Sequence, residues 1–171
     1  MHRAILCVAA SLLAACSGSA RPTTPGTGAV AANATLVRVV DGDTIVASID
    51  GRREPVRLIG IDTPETVEPD PQGGTSPAEC FGPEATAFTT SLLPEGTALR
   101  LERDAEARDD YDRVLAYVYR ADDGLFVNLE IVREGYASLL TFPPNVTHAS
   151  EFAAAARSAE AGDRGLWSAC R

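Results

Sequence analysis

From Leu36 onward the chain alternates apolar and polar positions in short runs broken by turn formers. Leu36 to Val40, Thr44 to Ile49 and Val56 to Ile61 are rich in β-branched residues and predict three strands in a meander. Asp50-Gly51, between the second and third runs, is a hairpin signal. Val67 to Glu79 has no period, is dense in proline and glycine, and reads as a flexible loop. Gly82-Pro83-Glu84-Ala85 opens a helix, with proline tolerated in the first turn because an N–H there has no intrahelical partner. Pro94-Glu95-Gly96 stops it.

Thr97 to Arg103 and Val114 to Tyr119 predict a fourth and a fifth strand, joined by the charged stretch Asp104 to Asp112. Asn128 is expected to cap a short helix that runs to Glu134 and closes on a left-handed Gly135. Ala137 to Phe142 is extended. Thr147 or Ser150 is expected to cap an alanine-rich helix through Ala161, with Gly162 and Gly165 breaking the chain before a core Trp167. No segment repeats. Five strands in a meander, with helices after the third and fifth, give an α+β, mainly β, class: a five-stranded closed barrel of the OB type with about three α-helices.

The N-terminus has a different character. Arg3, the apolar run Ala4 to Leu13 and the small residues Leu13-Ala14-Ala15-Cys16 have the layout of a secretory signal, and the run is too short to span a bilayer as a helix. Leu-Ala-Ala-Cys resembles a bacterial lipobox, which implies lipid attachment at Cys16 and an extracytoplasmic, lipid-anchored protein. Residues 17–33 are rich in Gly, Pro, Ser and Thr and form an expected flexible linker. The chain therefore divides into 1–16 signal, 17–33 linker and 34–171 domain. Cys80 and Cys170 then remain as an even pair in an oxidising compartment, where a disulfide is expected and two unpaired buried thiols are the alternative. Closing so long a loop stabilises by about 4 kcal/mol.

Charge changes the picture less than chemistry does. The formal net charge is −9, all fifteen basic residues are arginine, and nucleic-acid proteins usually carry a basic footprint. Long-range attraction to a polyanion is therefore weak. Locally, however, Asp41, Asp43, Asp62 and Glu65 lie with Arg57 on three consecutive strands and the loops at their ends. A hairpin of the second and third strands sets Asp43 across from Arg57 and Leu58. Carboxylates held together repel unless a cation sits among them. Asp43 and Asp62 are hard donors that suit Ca²⁺ or Mg²⁺ over Zn²⁺.

Asp41-Gly-Asp43-Thr44, then Arg57, then Ile61-Asp-Thr-Pro-Glu65-Thr66, resembles the signature of the staphylococcal-nuclease family. Asp110-Tyr-Asp-Arg113, Val127-Asn128, Asn145-Val-Thr-His148 and Gly165-Leu-Trp167 extend the likeness over nearly the whole domain. The resemblance implies Ca²⁺ held by Asp43, Asp62 and the backbone carbonyl of Thr63, with Asp41 as a nearby secondary acid. It implies Glu65 as general base, and Arg57 and Arg113 as phosphate clamps. Tyr111 and Phe142 match substrate-binding aromatics, although Asp110 stands at a lysine position and Asp112 at a glycine position of the family. The implied reaction is cleavage of the 5′ P–O bond in DNA and RNA, single strands preferred, by a monomer that needs no protein partner. The alternative is a non-catalytic OB module that binds nucleic acid or another polymer. All five of Asp43, Arg57, Asp62, Glu65 and Arg113 are present, which favours the enzyme.

Overall fold

The computed structural model describes residues 28–69 and 74–170. The strands in chain order are β1 (Ala34–Val39), β2 (Thr44–Ile49), β3 (Arg52–Leu58), β4 (Gly60–Asp62), β5 (Glu68–Pro69) and β6 (Thr75–Ser76). Helix α1 (Gly82–Leu92) precedes β7 (Ala98–Glu102) and β8 (Val114–Arg120). Then come α2 (Val127–Arg133), β9 (Ser138–Leu140), α3 (Ala149–Ala161) and α4 (Leu166–Ala169). The closed barrel expected from the sequence is there, but its order, β1-β2-β3-β8-β7, is not that of a meander: β8, and not β7, lies beside β3. β3 and β8 run parallel, with Val56 opposite Val114, and the other barrel pairs are antiparallel. Asp50 and Gly51 both take left-handed backbone, as a tight hairpin turn requires. Inward positions alternate along the strands: Ile45 and Ala47, Val56 and Leu58, Leu99 and Leu101, Val114, Ala116 and Val118. Val127, Ile131 and Val132 of α2 join the same core.

The run Val56 to Ile61 is not one strand. β3 ends at Leu58, and β4 leaves the barrel to pair with β9, Gly60 against Leu140 and Asp62 against Ser138. Gly60 makes this possible in two ways. Its φ is 85°, and a Cβ there would lie 2.4 Å from the ring of Phe152. The break returns the chain over the start of β2, which positions the site. The loop after Thr66 holds a small ladder, β5 with β6, where only loop was expected.

Asn128 is not a cap. It lies inside α2, fully buried, while Phe126 takes the cap position without a side-chain bond. Its Oδ1 accepts from Val118 N (2.9 Å), and its Nδ2 donates to Ile59 O (3.0 Å) and Ala116 O (3.3 Å). The amide thus ties α2 to β8 and to the point where β3 gives way to β4. An Asn128→Ala substitution orphans a buried N–H and a buried carbonyl, so unfolding free energy should fall by about 3 kcal/mol. A urea midpoint unchanged from wild type would show that water replaces the amide.

Neither Thr147 nor Ser150 caps α3; His148 occupies that position, its ring edge-on to Tyr117 at 4.5 Å. Thr147 instead donates its N–H and hydroxyl to Asp104, which also accepts the Tyr117 hydroxyl at 2.8 Å and the Ala105 N–H. Burial pushes the Asp104 carboxyl up, but these four hydrogen bonds outweigh it and hold its pKa below the ordinary value. A depressed carboxylate stabilises above its unfolded pKa and loses that contribution as pH falls through the folded one. The stability gap between wild type and Asp104→Asn should therefore be full at pH 7 and shrink below about pH 4. Urea titrations at pH 7 and pH 3 read it directly. Trp167, expected in the core, is only partly buried in α4 and belongs to neither core cluster.

Candidate active site

The turn between β1 and β2 is built by Asp41. Its Oδ1 accepts the N–H groups of Asp43 (3.0 Å) and Thr44 (2.7 Å), a local bond pattern that fixes Asp43 at the head of β2. Asp43 is 4% exposed. One carboxylate oxygen accepts from Thr63 N (2.8 Å) and Thr63 Oγ1 (3.1 Å). The other accepts from Thr44 Oγ1 (3.2 Å) and meets Arg57 Nε at 3.1 Å. Gly42 is required there, because a Cβ would lie 2.6 Å from the Thr63 side chain.

Arg57 stands directly across from Thr44 in the hairpin. Its Nη2 donates to Asp62 Oδ1 at 3.0 Å, and Nη1 donates to Leu58 O (2.9 Å) and Ile61 O (2.8 Å). One guanidinium thus joins Asp43 to Asp62 and braces the β3–β4 break. These contacts leave a single N–H on Nη2 uncommitted.

Burial pushes the Asp43 carboxyl above its ordinary pKa; Arg57 and Thr63 pull it down and Asp41 adds to the rise. Burial also raises Asp62, Arg57 opposes it, and the charges of Asp43 and Glu79 push the same way as burial. Four carboxylates therefore act on one another around one arginine. Among the described residues no three acids, histidines or cysteines converge as a ready metal cage. The available donors are two hard carboxylates and the Thr63 backbone beside them, a set with surplus negative charge that a hard divalent cation with water ligands suits.

Glu65 is exposed, three residues beyond Asp62. Its peptide is clasped on both sides by Glu79: Glu65 N donates to Glu79 Oε2 (3.1 Å), and Glu79 N donates to Glu65 O (2.9 Å). The next residue, Cys80, is bonded to Cys170, with Cα atoms 5.8 Å apart. Gly82 packs against the Glu65 carbonyl, where a Cβ would come within 2.1 Å. The disulfide thus pins the segment that holds the Glu65 backbone to the C-terminal helix. Reducing it opens a loop spanning 90 residues, and stability should drop by roughly 4 kcal/mol in the chain-entropy picture. Unfolding curves with and without dithiothreitol, superimposed, would show that the bridge constrains nothing.

Arg113 is fixed by Asp109, which accepts Arg113 Nε at 2.7 Å and Arg113 N at 2.9 Å. Burial raises the Asp109 carboxyl, but the Arg113 side-chain and backbone bonds hold it below the ordinary range. The guanidinium carbon lies 5.4 Å from the Tyr111 ring centre. Asp112, which stands at a glycine position of the family it resembles, has φ 63°, a left-handed conformation that glycine adopts without strain. Its side chain is 88% exposed, 3.4 Å from Arg108 Nη1.

Arg57 and Arg113 line one open groove of about 360 Å³, together with Tyr111, Phe142, Leu140 and Asp110. Tyr111 and Phe142 are 81% and 69% exposed. The groove thus offers two guanidinium groups and two uncovered aromatic faces. Cys16 lies outside the described residues.

Three functional neighbours escaped the sequence reading. Asp109 had a signal, an acid four residues before an arginine. Glu79 had none, since it closes a loop without a period, and Asn128, just before an apolar run, carries the sequence signature of a cap.

Residues 55–169 match the family model described as Staphylococcal nuclease homologue. The chain is 39% identical over 130 residues to the protein named Thermonuclease from Staphylococcus intermedius, covering 76% of this chain and 73% of the relative. It is 35% identical over 133 residues to the Thermonuclease of Staphylococcus hyicus, covering 78% and 74%. Against Endonuclease YncB of Bacillus subtilis (strain 168) it is 35% identical over 138 residues, covering 80% of this chain and 62% of that protein.

Proposed function

Because this chain belongs to the staphylococcal nuclease homologue family, we propose that it is a Ca²⁺-dependent nuclease that hydrolyses phosphodiester bonds of DNA and RNA. The observation that carries the reading is the shared groove of Arg57 and Arg113, with Tyr111 and Phe142 uncovered beside it. Asp43, Asp62 and the Thr63 carbonyl would hold the cation, which when bound supplies charge neutralisation and Lewis-acid contact to a phosphoryl oxygen.

The chain's own residues divide the remaining work. Arg113, oriented by Asp109, and the uncommitted Nη2 N–H of Arg57 bind the phosphoryl oxygens, on which charge builds in the transition state. Glu65 accepts the proton of an attacking water as its oxygen bonds to phosphorus. The bond from phosphorus to the 5′ oxygen breaks, and that oxygen leaves as a hydroxyl with a proton from solvent, so the product keeps a 3′-phosphate. Tyr111 and Phe142 offer faces for stacked bases, worth roughly 1–3 kcal/mol each. Such faces favour single strands, whose bases are available.

Digestion of single-stranded DNA with Ca²⁺ and with chelator tests the proposal. Cleavage with Ca²⁺ alone is expected. Binding without cleavage in either condition would assign the OB module instead. The same proposal places the protein as a monomer outside the cytoplasm, held to the envelope through lipid on Cys16.

A further inference from the structure

A second depression, of about 390 Å³, shares no lining residue with the groove and is lined by Arg52, Arg103, Arg108, Asp50, Glu54 and Val114. Resting on the nuclease reading, we propose that it is a second phosphate-binding site, which holds the backbone of a polynucleotide several residues away from the bond being cleaved.

Among the described residues, neither Arg52 nor Arg103 has a hydrogen-bond or carboxylate partner for its side chain. Both are exposed. Arg108 is fixed by Glu54 at 3.1 Å and by the Asp112 carbonyl at 2.6 Å. Glu54 is thereby engaged, and Asp50 sits exposed on the hairpin turn. In a chain of net charge −9, three guanidinium groups against two carboxylates give this depression a local positive surplus, and the guanidinium fork matches phosphate oxygens.

The topology links this depression to the groove. β3 carries Arg52 at one end and Arg57 at the other, five residues or about 17 Å apart along the strand. The segment entering β8 carries Arg108 and Arg113. Because side chains alternate along a strand, Val114 lines the second depression while Arg113 and Leu115 line the groove. The start of β8 is therefore a common wall, and a strand leaving the groove meets the second cluster by crossing it. A dinucleotide is too short to reach both.

The test compares KM on a dinucleotide and on a 12-nucleotide single-stranded DNA. Arg52→Gln with Arg103→Gln should raise KM for the 12-mer by about tenfold at unchanged kcat and leave the dinucleotide unaffected. The slope of log KM against log salt for the 12-mer should fall by about 1.4, two phosphate contacts at about 0.7 each. Asp50→Asn should move 12-mer KM the opposite way. Arg133→Gln with Arg157→Gln, the same charge change on α2 and α3, is the control. Equal effects on both substrates, no effect on either, or an equal effect of the control would overturn the second site. If the wild type cleaves neither substrate, the nuclease reading fails, and fluorescence anisotropy of the 12-mer with the same variants decides the site by the same criteria.

Discussion

Replacing Glu65 with glutamine should lower kcat on single-stranded DNA by roughly a hundred- to ten-thousandfold, the usual contribution of a positioned general base. Stability should barely change, for a structural reason. The hydrogen bonds that hold this residue to Glu79 run through its backbone N–H and carbonyl, which the substitution leaves intact. Its side chain is exposed, and glutamine keeps both its shape and one hydrogen-bonding oxygen, so the cost to stability should be small. KM should move little, because in the proposed mechanism the arginines and aromatics of the groove, and not the base, supply ground-state binding. The measurement is single-turnover cleavage beside a urea melt of the same preparation. A variant with near-wild-type turnover removes Glu65 from the chemistry. A variant that is inactive because its midpoint has collapsed shows instead that the carboxylate holds the loop.

The contrast between what sequence revealed and what it hid follows from the range of the interactions involved. The five barrel strands were legible because each is a local alternation bounded by turn formers; their order was legible only for β1-β2-β3 and β7-β8, since the parallel β3–β8 pair and the closing β1–β7 pair join strands that are not chain neighbours. The Asp50-Gly51 turn fixed the hairpin register, and with it the placement of Asp43 beside Arg57 and Leu58: Thr44 stands opposite Arg57, and Leu58 N donates to Asp43 O at 2.9 Å. The division of Val56 to Ile61 into two strands was not legible. It depends on Phe152, about ninety residues later, filling the space a Cβ at Gly60 would need. Asn128 failed for the same reason. An asparagine before an apolar run reads as a cap, and only its carbonyl and N–H partners on Ile59, Ala116 and Val118 turn it inward. The Cys80–Cys170 pairing needed no geometry, only an even count. Asp43, Arg57 and Asp62 stand out in the sequence and meet in the structure, but the way they meet was not legible: Arg57 was expected to face phosphate and is largely spent on its own protein.

That double use of Arg57 makes Arg57→Gln the most informative substitution in the molecule. On the proposed mechanism it removes a phosphate ligand, so cleavage should fall by orders of magnitude. It also leaves Asp43 buried without its cation, and breaking a buried pair from one side costs about 3–5 kcal/mol. The two losses separate by pH. Burial already raises the Asp43 carboxyl and Arg57 is the main opposing influence, so deleting the arginine raises it further. A raised carboxylate destabilises the fold where it must ionise and ceases to do so once protonated. The stability deficit of the variant should therefore be largest near pH 8 and shrink as pH falls through the raised value. Pairing it with Asp43→Asn removes the stranded charge, so the double variant should recover much of the stability while remaining inactive. The coupling energy from that cycle measures the tie alone. Additive stability losses with no pH dependence would mean that Asp43 does not need Arg57 to stay buried, and the view of this guanidinium as the strut of its own active site would fall.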